Sequence, residues 1–193
     1  MYVDLHIKQK NIMESTTWLL DPTHSEIGFK IRHLMISTVS GQFNRFSGIV
    51  ETYGDDFTTA NVHFEAEINS ISTNNLQRDE HLKAGDFFNA QQFPQLLFEG
   101  DKMEKTGDYE YKLHGILTIK DVSKSVSLDV EFGGITKDPW GNMRTGFSVS
   151  GKINRHDYGI SFGGLSETGA LLGDEVKINA NVQFLKEAEV PVS

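Results

Sequence analysis

Along most of this chain apolar and polar side chains take turns, one for one. Ile27, Phe29 and Ile31 alternate with Gly28, Lys30 and Arg32; Val62, Phe64, Ala66 and Ile68 alternate with His63, Glu65, Glu67 and Asn69. The same period of two runs from Tyr109 to Ile119, interrupted only at Ile116, from Ser125 to Phe132, and from Val176 to Phe184. Successive side chains of a strand point to opposite faces, so the pattern predicts antiparallel strands with one face buried and the other wet. Turn-forming clusters separate the runs: Gly54-Asp55-Asp56, Thr106-Gly107-Asp108, Asp138-Pro139-Trp140-Gly141, and the stretch from Gly163 to Gly173. Together they predict an all-β meander of about eight strands, with no βαβ rhythm. One segment departs from the period. Thr73-Asn74-Asn75 offer cap residues, Leu76 to Ala84 are mostly helix formers and Gly85 supplies a stop, which predicts one short inserted helix.

Long one-sided strands must deal with their edges, because an open edge pairs with other chains. Closing the sheet removes the problem, and a closed antiparallel barrel of about eight strands holds either packed side chains or one small ligand. The 193 residues suit one such domain. The periodic pattern sets a barrel domain at 17–186, an N-terminal extension at 1–16 expected to be poorly ordered, and a C-terminal tail at 187–193 expected to fray. Met13 is a second candidate start beside Met1, and the first residues show no apolar leader, from which a cytoplasmic location is expected.

Composition narrows the function classes. With 18 Lys and Arg against 27 Asp and Glu, the formal net charge is -9, which disfavours phosphate backbones and anionic membrane surfaces as partners. No stretch approaches the roughly 20 apolar residues of a spanning helix. The absence of cysteine excludes disulfides, thiolate metal sites and cysteine nucleophiles. The 13 Phe outnumber the 5 Tyr and 2 Trp, so the aromatic surface to be buried carries few polar handles.

Catalytic signatures are weak. The histidines His6, His24, His33, His63, His81, His114 and His156 show no metal-binding spacing. Gly164-Leu165-Ser166-Glu167-Thr168 lacks the last Gly that a nucleophile elbow needs. Glu65 and Glu67 share a strand face beside His63, which a solvated face explains. Three polar groupings stand out: Arg78 with His81 and Leu82 on one helix face, Asp21-Pro22-Thr23-His24-Ser25 before a long strand, and Arg155 with Asp157 at a strand end, where an ion pair on the rim is expected. The inward faces are apolar and include the small residues Ala66, Gly115, Gly151 and Ala180. The volume these leave is filled either by Phe side chains from the opposite wall or by an apolar ligand, and the pattern alone leaves both open.

Further motifs add a resemblance. Asp21-x-x-His24-Ser25, Phe29, His33-Leu34, Gly41-x-Phe43 and Phe46-x-Gly48 are followed by Arg78-Asp79-x-His81-Leu82, Asp86-Phe87-Phe88 and Phe93-Pro94. After these come Leu113-x-Gly115-x-Leu117-Thr118-Ile119, Arg155-x-Asp157-Tyr158-Gly159 and Gly173-Asp174-x-Val176. In this order they resemble the YceI-like family of lipocalin-like, polyisoprenoid-binding proteins. The resemblance implies an eight-stranded barrel with a helix on one side, an elongated apolar pore for an isoprenoid chain or similar lipid, a frequent homodimer, and no catalytic residues. Many such relatives are periplasmic.

The expectation is therefore a non-catalytic protein that binds, transports or stores a long apolar molecule, an isoprenoid quinone or polyprenyl lipid, with a fatty-acid-like lipid also a candidate partner. Phe29, Ile31, Phe64, Ile68, Leu113, Leu117, Leu128, Val130, Phe147, Val149, Ile178 and Val182 are expected to line the pore, with His24, Arg78 and His81 at its mouth near a headgroup. Two rivals stand beside it: an enzyme with a hydrophobic pocket using His24 or His81 as general base, and a self-filled structural or stress-related barrel.

Overall fold

The computed structural model describes residues 14–163, 165–166 and 169–188. The expectations for residues 1–13 and 189–193 fall outside the described residues. Strand β1 (Ser15–Leu20) starts before Thr17. Ser15 and Thr16 pair with Tyr53 and Thr52, so these two residues belong to the sheet and not to an extension. The strand then breaks at Asp21-Pro22. Proline supplies no N–H to a ladder, and the Asp21 carboxylate accepts from the Thr23 N–H at 3.0 Å, capping a single 3-10 turn over Pro22–His24. The chain resumes as β2 (Glu26–His33), turns, and returns through β3 (Ser37–Phe43) and β4 (Phe46–Tyr53).

Next come β5 (Asp56–Glu67), the two-residue β6 (Ile71–Ser72), helix α1 (Leu76–Lys83), β7 (Gln95–Lys105), β8 (Glu110–Ile119), β9 (Val122–Lys137) and β10 (Met143–Asn154). The two-residue strands β11 (Leu165–Ser166) and β12 (Gly169–Ala170) precede the final β13 (Leu172–Lys186). The pairing order β1-β4-β5-β7-β8-β9-β10-β13 closes on itself through β1 and β13. Strands β1 and β2 both pair with β13, and β4 and β3 pair with them in turn, so each couple is one broken stave. The result is a closed eight-stranded antiparallel barrel with one helix, as the period of two predicts.

The two ends differ in how the chain crosses them. At one end, the floor, short turns join β4 to β5, β7 to β8 and β9 to β10. At the other, the mouth, short turns join β2 to β3 and β8 to β9, and two longer crossings join β5 to β7 and β10 to β13. The first crossing carries α1, capped by the Asn75 side chain, which accepts from the Arg78 N–H at 3.0 Å. The second begins with a 3-10 turn over Arg155–Tyr158, closed by Gly159 in the left-handed region at φ 68°. Such a φ suits glycine, which has no Cβ to clash.

At the floor, Phe57 stacks at centroid distances of 5.5, 5.4 and 5.0 Å on Trp18, Phe132 and Phe147. Phe184 adds an edge contact to Phe147 at 6.1 Å. The small inward residues are not all vacant positions. Phe98 lies over Gly115, and Leu128 reaches into the space a side chain at Gly151 would occupy, 2.4 Å from its would-be Cβ. Neighbouring strands fill these two gaps, and open volume survives elsewhere in the barrel.

Candidate functional site: an apolar cavity inside the barrel

That volume is a cavity of about 390 Å3, running from Phe57, Phe147 and Phe184 at the floor to α1 and the loop around Phe162 at the mouth. It lies within the range of about 300–1,000 Å3 usual for small-molecule sites. Every stave contributes by strand parity. Phe29 and Ile31 come from β2, Phe64 from β5, Leu113 and Leu117 from β8, and Leu128 and Val130 from β9. Phe147 and Val149 of β10 and Ile178 and Val182 of β13 complete the expected wall.

Ile68 is the exception among the predicted wall residues. Strand β5 ends at Glu67, and a 3-10 turn carries Ile68 out of the ladder, its N–H held by the Pro94 carbonyl at 2.8 Å. Its side chain is buried in the core, off the cavity wall. Parity predicts a side chain's face only while the strand lasts.

At the mouth, Arg78 and His81 do border the cavity, whereas His24 does not. The Pro22 turn swings His24 to the outer wall, where Nδ1 lies 2.9 Å from Asp21 and the side chain is 61 % exposed. Asp21 is held well below the usual carboxylate range, chiefly by the Thr23 hydroxyl and further by Arg144 and His24, with burial opposing. This is structural chemistry: Arg144 bridges Asp21 at 2.7 Å and Asp138 at 2.8 Å, clasping the β9–β10 turn to the break between β1 and β2.

Arg78 is turned onto its own helix start. Its Nε donates to the Thr73 hydroxyl at 2.7 Å and its Nη2 to the Thr73 carbonyl at 2.8 Å, while the Thr73 N–H donates to buried Asp79 at 2.8 Å. His81 joins the two mouth crossings. Its ring packs edge-on against Phe87 at 5.0 Å and Phe162 at 4.7 Å, and its Nε2 lies 2.7 Å from Asp86. The His81 contact holds the Asp86 carboxyl below its ordinary value.

Periodicity does not single out the most buried polar groups at the mouth. Arg155 is only 3 % exposed, and the expected ion pair with Asp157 is not the contact it makes. Its guanidinium donates to the carbonyls of Gly173 at 2.8 Å, Ile160 at 2.9 Å and Phe162 at 2.7 Å, with Asp174 at 3.8 Å. Burial pulls its pKa down, with Asp174 opposing. Beside it, the Tyr158 hydroxyl is buried with no hydrogen-bond partner among the described residues, and burial pushes its pKa up to about 12. The Arg-x-Asp-Tyr-Gly motif flags both residues, but only the folded crossing shows which groups they face.

Below this polar ring the wall is hydrocarbon. His63 touches it, but its ring turns outward to Glu99 at 2.5 Å. The side-chain hydroxyls on the described lining are Thr73 and Tyr158, and Thr73 is committed to Asp79 and Arg78. The arrangement can therefore enclose a chain of CH2 and CH3 groups and meet a polar end at the mouth. Among the described residues, it sets no nucleophile against a free base.

Comparison with known proteins agrees with this architecture. A UPF0312 protein of Staphylococcus aureus is 41 % identical over 171 residues, covering 88 % of this chain and 97 % of that one. The crystal structure of a Campylobacter jejuni YCEI protein is 35 % identical, covers 88 % of this chain and 97 % of that one, and superposes with a TM-score of 0.69. A polyisoprenoid binding domain from Saccharophagus degradans, implicated in plant cell wall breakdown, shares the fold at 12 % identity with a TM-score of 0.68, covering 88 % of this chain and 98 % of that one. The YceI-like domain family matches residues 18–184, from the first barrel stave to the last, and the chain belongs to that family.

Proposed function

We propose that the protein is a non-catalytic carrier or store for a long apolar molecule, an isoprenoid quinone or polyprenyl lipid, held inside the barrel. The observation that carries this reading is the cavity: about 390 Å3 of apolar-walled space with its polar groups gathered at one end. Water gains little in such a space, because it finds too few hydrogen-bond partners on the wall. A hydrocarbon chain gains its full burial energy. At about 25 cal/mol per Å2, a chain burying about 300 Å2 gains about 7–8 kcal/mol before ordering costs. Contact alone therefore suffices for retention, and the mouth groups need only orient the head. Membership of the YceI-like family and the fold shared with a polyisoprenoid binding domain support the same reading.

An organic-solvent extract of the protein, purified without detergent and analysed by mass spectrometry, tests it. The expected result is one isoprenoid lipid in near-stoichiometric amount. A clean extract, with no uptake after incubation with polyprenyl lipids, would overturn the reading.

A further inference from the structure

A lipid held in water must enter and leave, and the mouth end carries a surface fitted to where lipids reside. The β2–β3 hairpin closes through three residues, Leu34 to Ile36, with a tight turn in which the Ile36 N–H bonds the His33 carbonyl at 3.2 Å. Both central residues have positive φ, 50° at Leu34 and 58° at Met35. Such a turn favours Asn-Gly, and bulky side chains there are strained. The strain exposes an apolar tip: Leu34, Met35 and Ile36 are 44 %, 58 % and 83 % exposed. The tip is continuous with the cavity, because the Leu34 N–H bonds the Leu171 carbonyl at 2.9 Å, and Leu171 and Leu172 line the wall. Strain kept at an exposed apolar position points to a use for that position.

A second feature lies just behind it. Lys30, Lys177 and Lys152 stand directly opposite one another on three adjacent strands, facing outward. Like charges in register repel, and Glu175, 3.2 Å from Lys152, is the carboxylate paired with this row among the described residues. Lys30 precedes the tip by four residues, roughly 13 Å of strand. An interfacial apolar element sinks about 5–10 Å into a bilayer, which sets the lysine row at the depth of the headgroups. The net charge of -9 opposes approach to an anionic surface as a whole. Screening over about 8–10 Å makes the local row decisive once the mouth faces the membrane.

We infer that the mouth of the barrel docks on an anionic lipid bilayer, with Leu34, Met35 and Ile36 inserted and Lys30, Lys177 and Lys152 on the headgroups. The purpose of this docking rests on the lipid-carrier reading, but its test is separate. Full-length protein is sedimented with vesicles of phosphatidylcholine plus phosphatidylglycerol and with vesicles of phosphatidylcholine alone. Wild type is expected to prefer the anionic vesicles and to be released by salt. The variant L34N/M35G, which gives the turn its favoured residues, is expected to melt at the same or a higher temperature and to bind on the order of tenfold more weakly. K30E/K177E is expected to lose the anionic preference by a similar factor.

Wild type that ignores both vesicle types, or L34N/M35G that binds as well as wild type, overturns the inference. So does a loss confined to self-association in size-exclusion chromatography, which would make the tip a contact between copies. Uptake of a polyprenyl lipid from ethanol, measured in parallel, separates the two readings. A protein that fills its cavity but ignores vesicles contradicts docking alone, and one that docks but takes up no chain contradicts the carrier reading alone.

Discussion

The floor and the mouth of this barrel are built from the same aromatic material and do opposite things. At the floor, Trp18, Phe57, Phe132 and Phe147 stack at 5.0–5.5 Å on strands of the closed sheet, with register shifts beside Phe57 and Phe147. At the mouth, Phe87 and Phe162 sit 4.8 Å apart around His81, yet both project from irregular crossings between strands. Those crossings hold their places through side-chain hydrogen bonds: Arg155 on three carbonyls, Arg78 on Thr73, His81 on Asp86. A ladder opens only with the whole sheet, whereas a few side-chain bonds open locally. The difference teaches that aromatic density alone does not make a wall. The backbone carrying the rings decides whether they are held by strands of the sheet or by a few side-chain hydrogen bonds.

Truncating the floor should have the largest effect. Phe57→Ala removes a ring that is 3 % exposed and touches three others, and denaturant unfolding is expected to show a loss of about 3–5 kcal/mol. At the mouth, Arg155→Leu strips three carbonyls of their donor. A loss of on the order of 2–3 kcal/mol is expected, with amide exchange rising first in residues 159–163. Equal exchange increases at floor and mouth would break the contrast. His81→Ala should cost only about 1 kcal/mol, the worth of its ring contacts, while speeding release of a bound fluorescent polyene in stopped flow. Tyr158→Phe deletes a hydroxyl that has no hydrogen-bond partner among the described residues, so stability should stay level or rise by up to about 1 kcal/mol.

The smallest effect concerns pH. Asp138 is held well below the usual range, first by Arg144 and then by Asn142 and the Trp140 N–H, with burial opposing. A carboxylate depressed in the folded state stabilises above its ordinary pKa of about 4, and that contribution fades as pH falls toward the folded value. Asp138→Asn should therefore lower the melting temperature at neutral pH, with the gap to wild type closing in acid.

The barrel is legible in the sequence because its energy is local and repetitive. Each stave must bury one face, and alternation such as Val176, Ile178, Ala180, Val182 and Phe184 records that directly. The cavity wall follows from the same parity, which is why the expected wall residues apart from Ile68 border it. Parity fails where a strand ends, as at Glu67, and where a break in the strand rotates a residue outward, as at His24. The mouth is less legible. Phe87, Arg155 and Phe162 meet through crossings with no period, and Leu34-Met35 adopts a turn that its residue types do not favour. The small residues misled in part, because Phe98 and Leu128 lean over Gly115 and Gly151.

Native mass spectrometry of wild type and Ala180→Phe tests the central claim, that the barrel is hollow for a lipid. Ala180 is a small residue on the cavity wall. Enlarging it in a solid core would cost about 1–3 kcal/mol, but in a hollow the new ring has somewhere to go. The account predicts wild type heavier than its 21.6 kDa chain by one lipid, and a variant that melts within a few degrees of wild type at the bare chain mass. A wild type at the bare mass after lipid incubation, with a variant that unfolds readily, would contradict it.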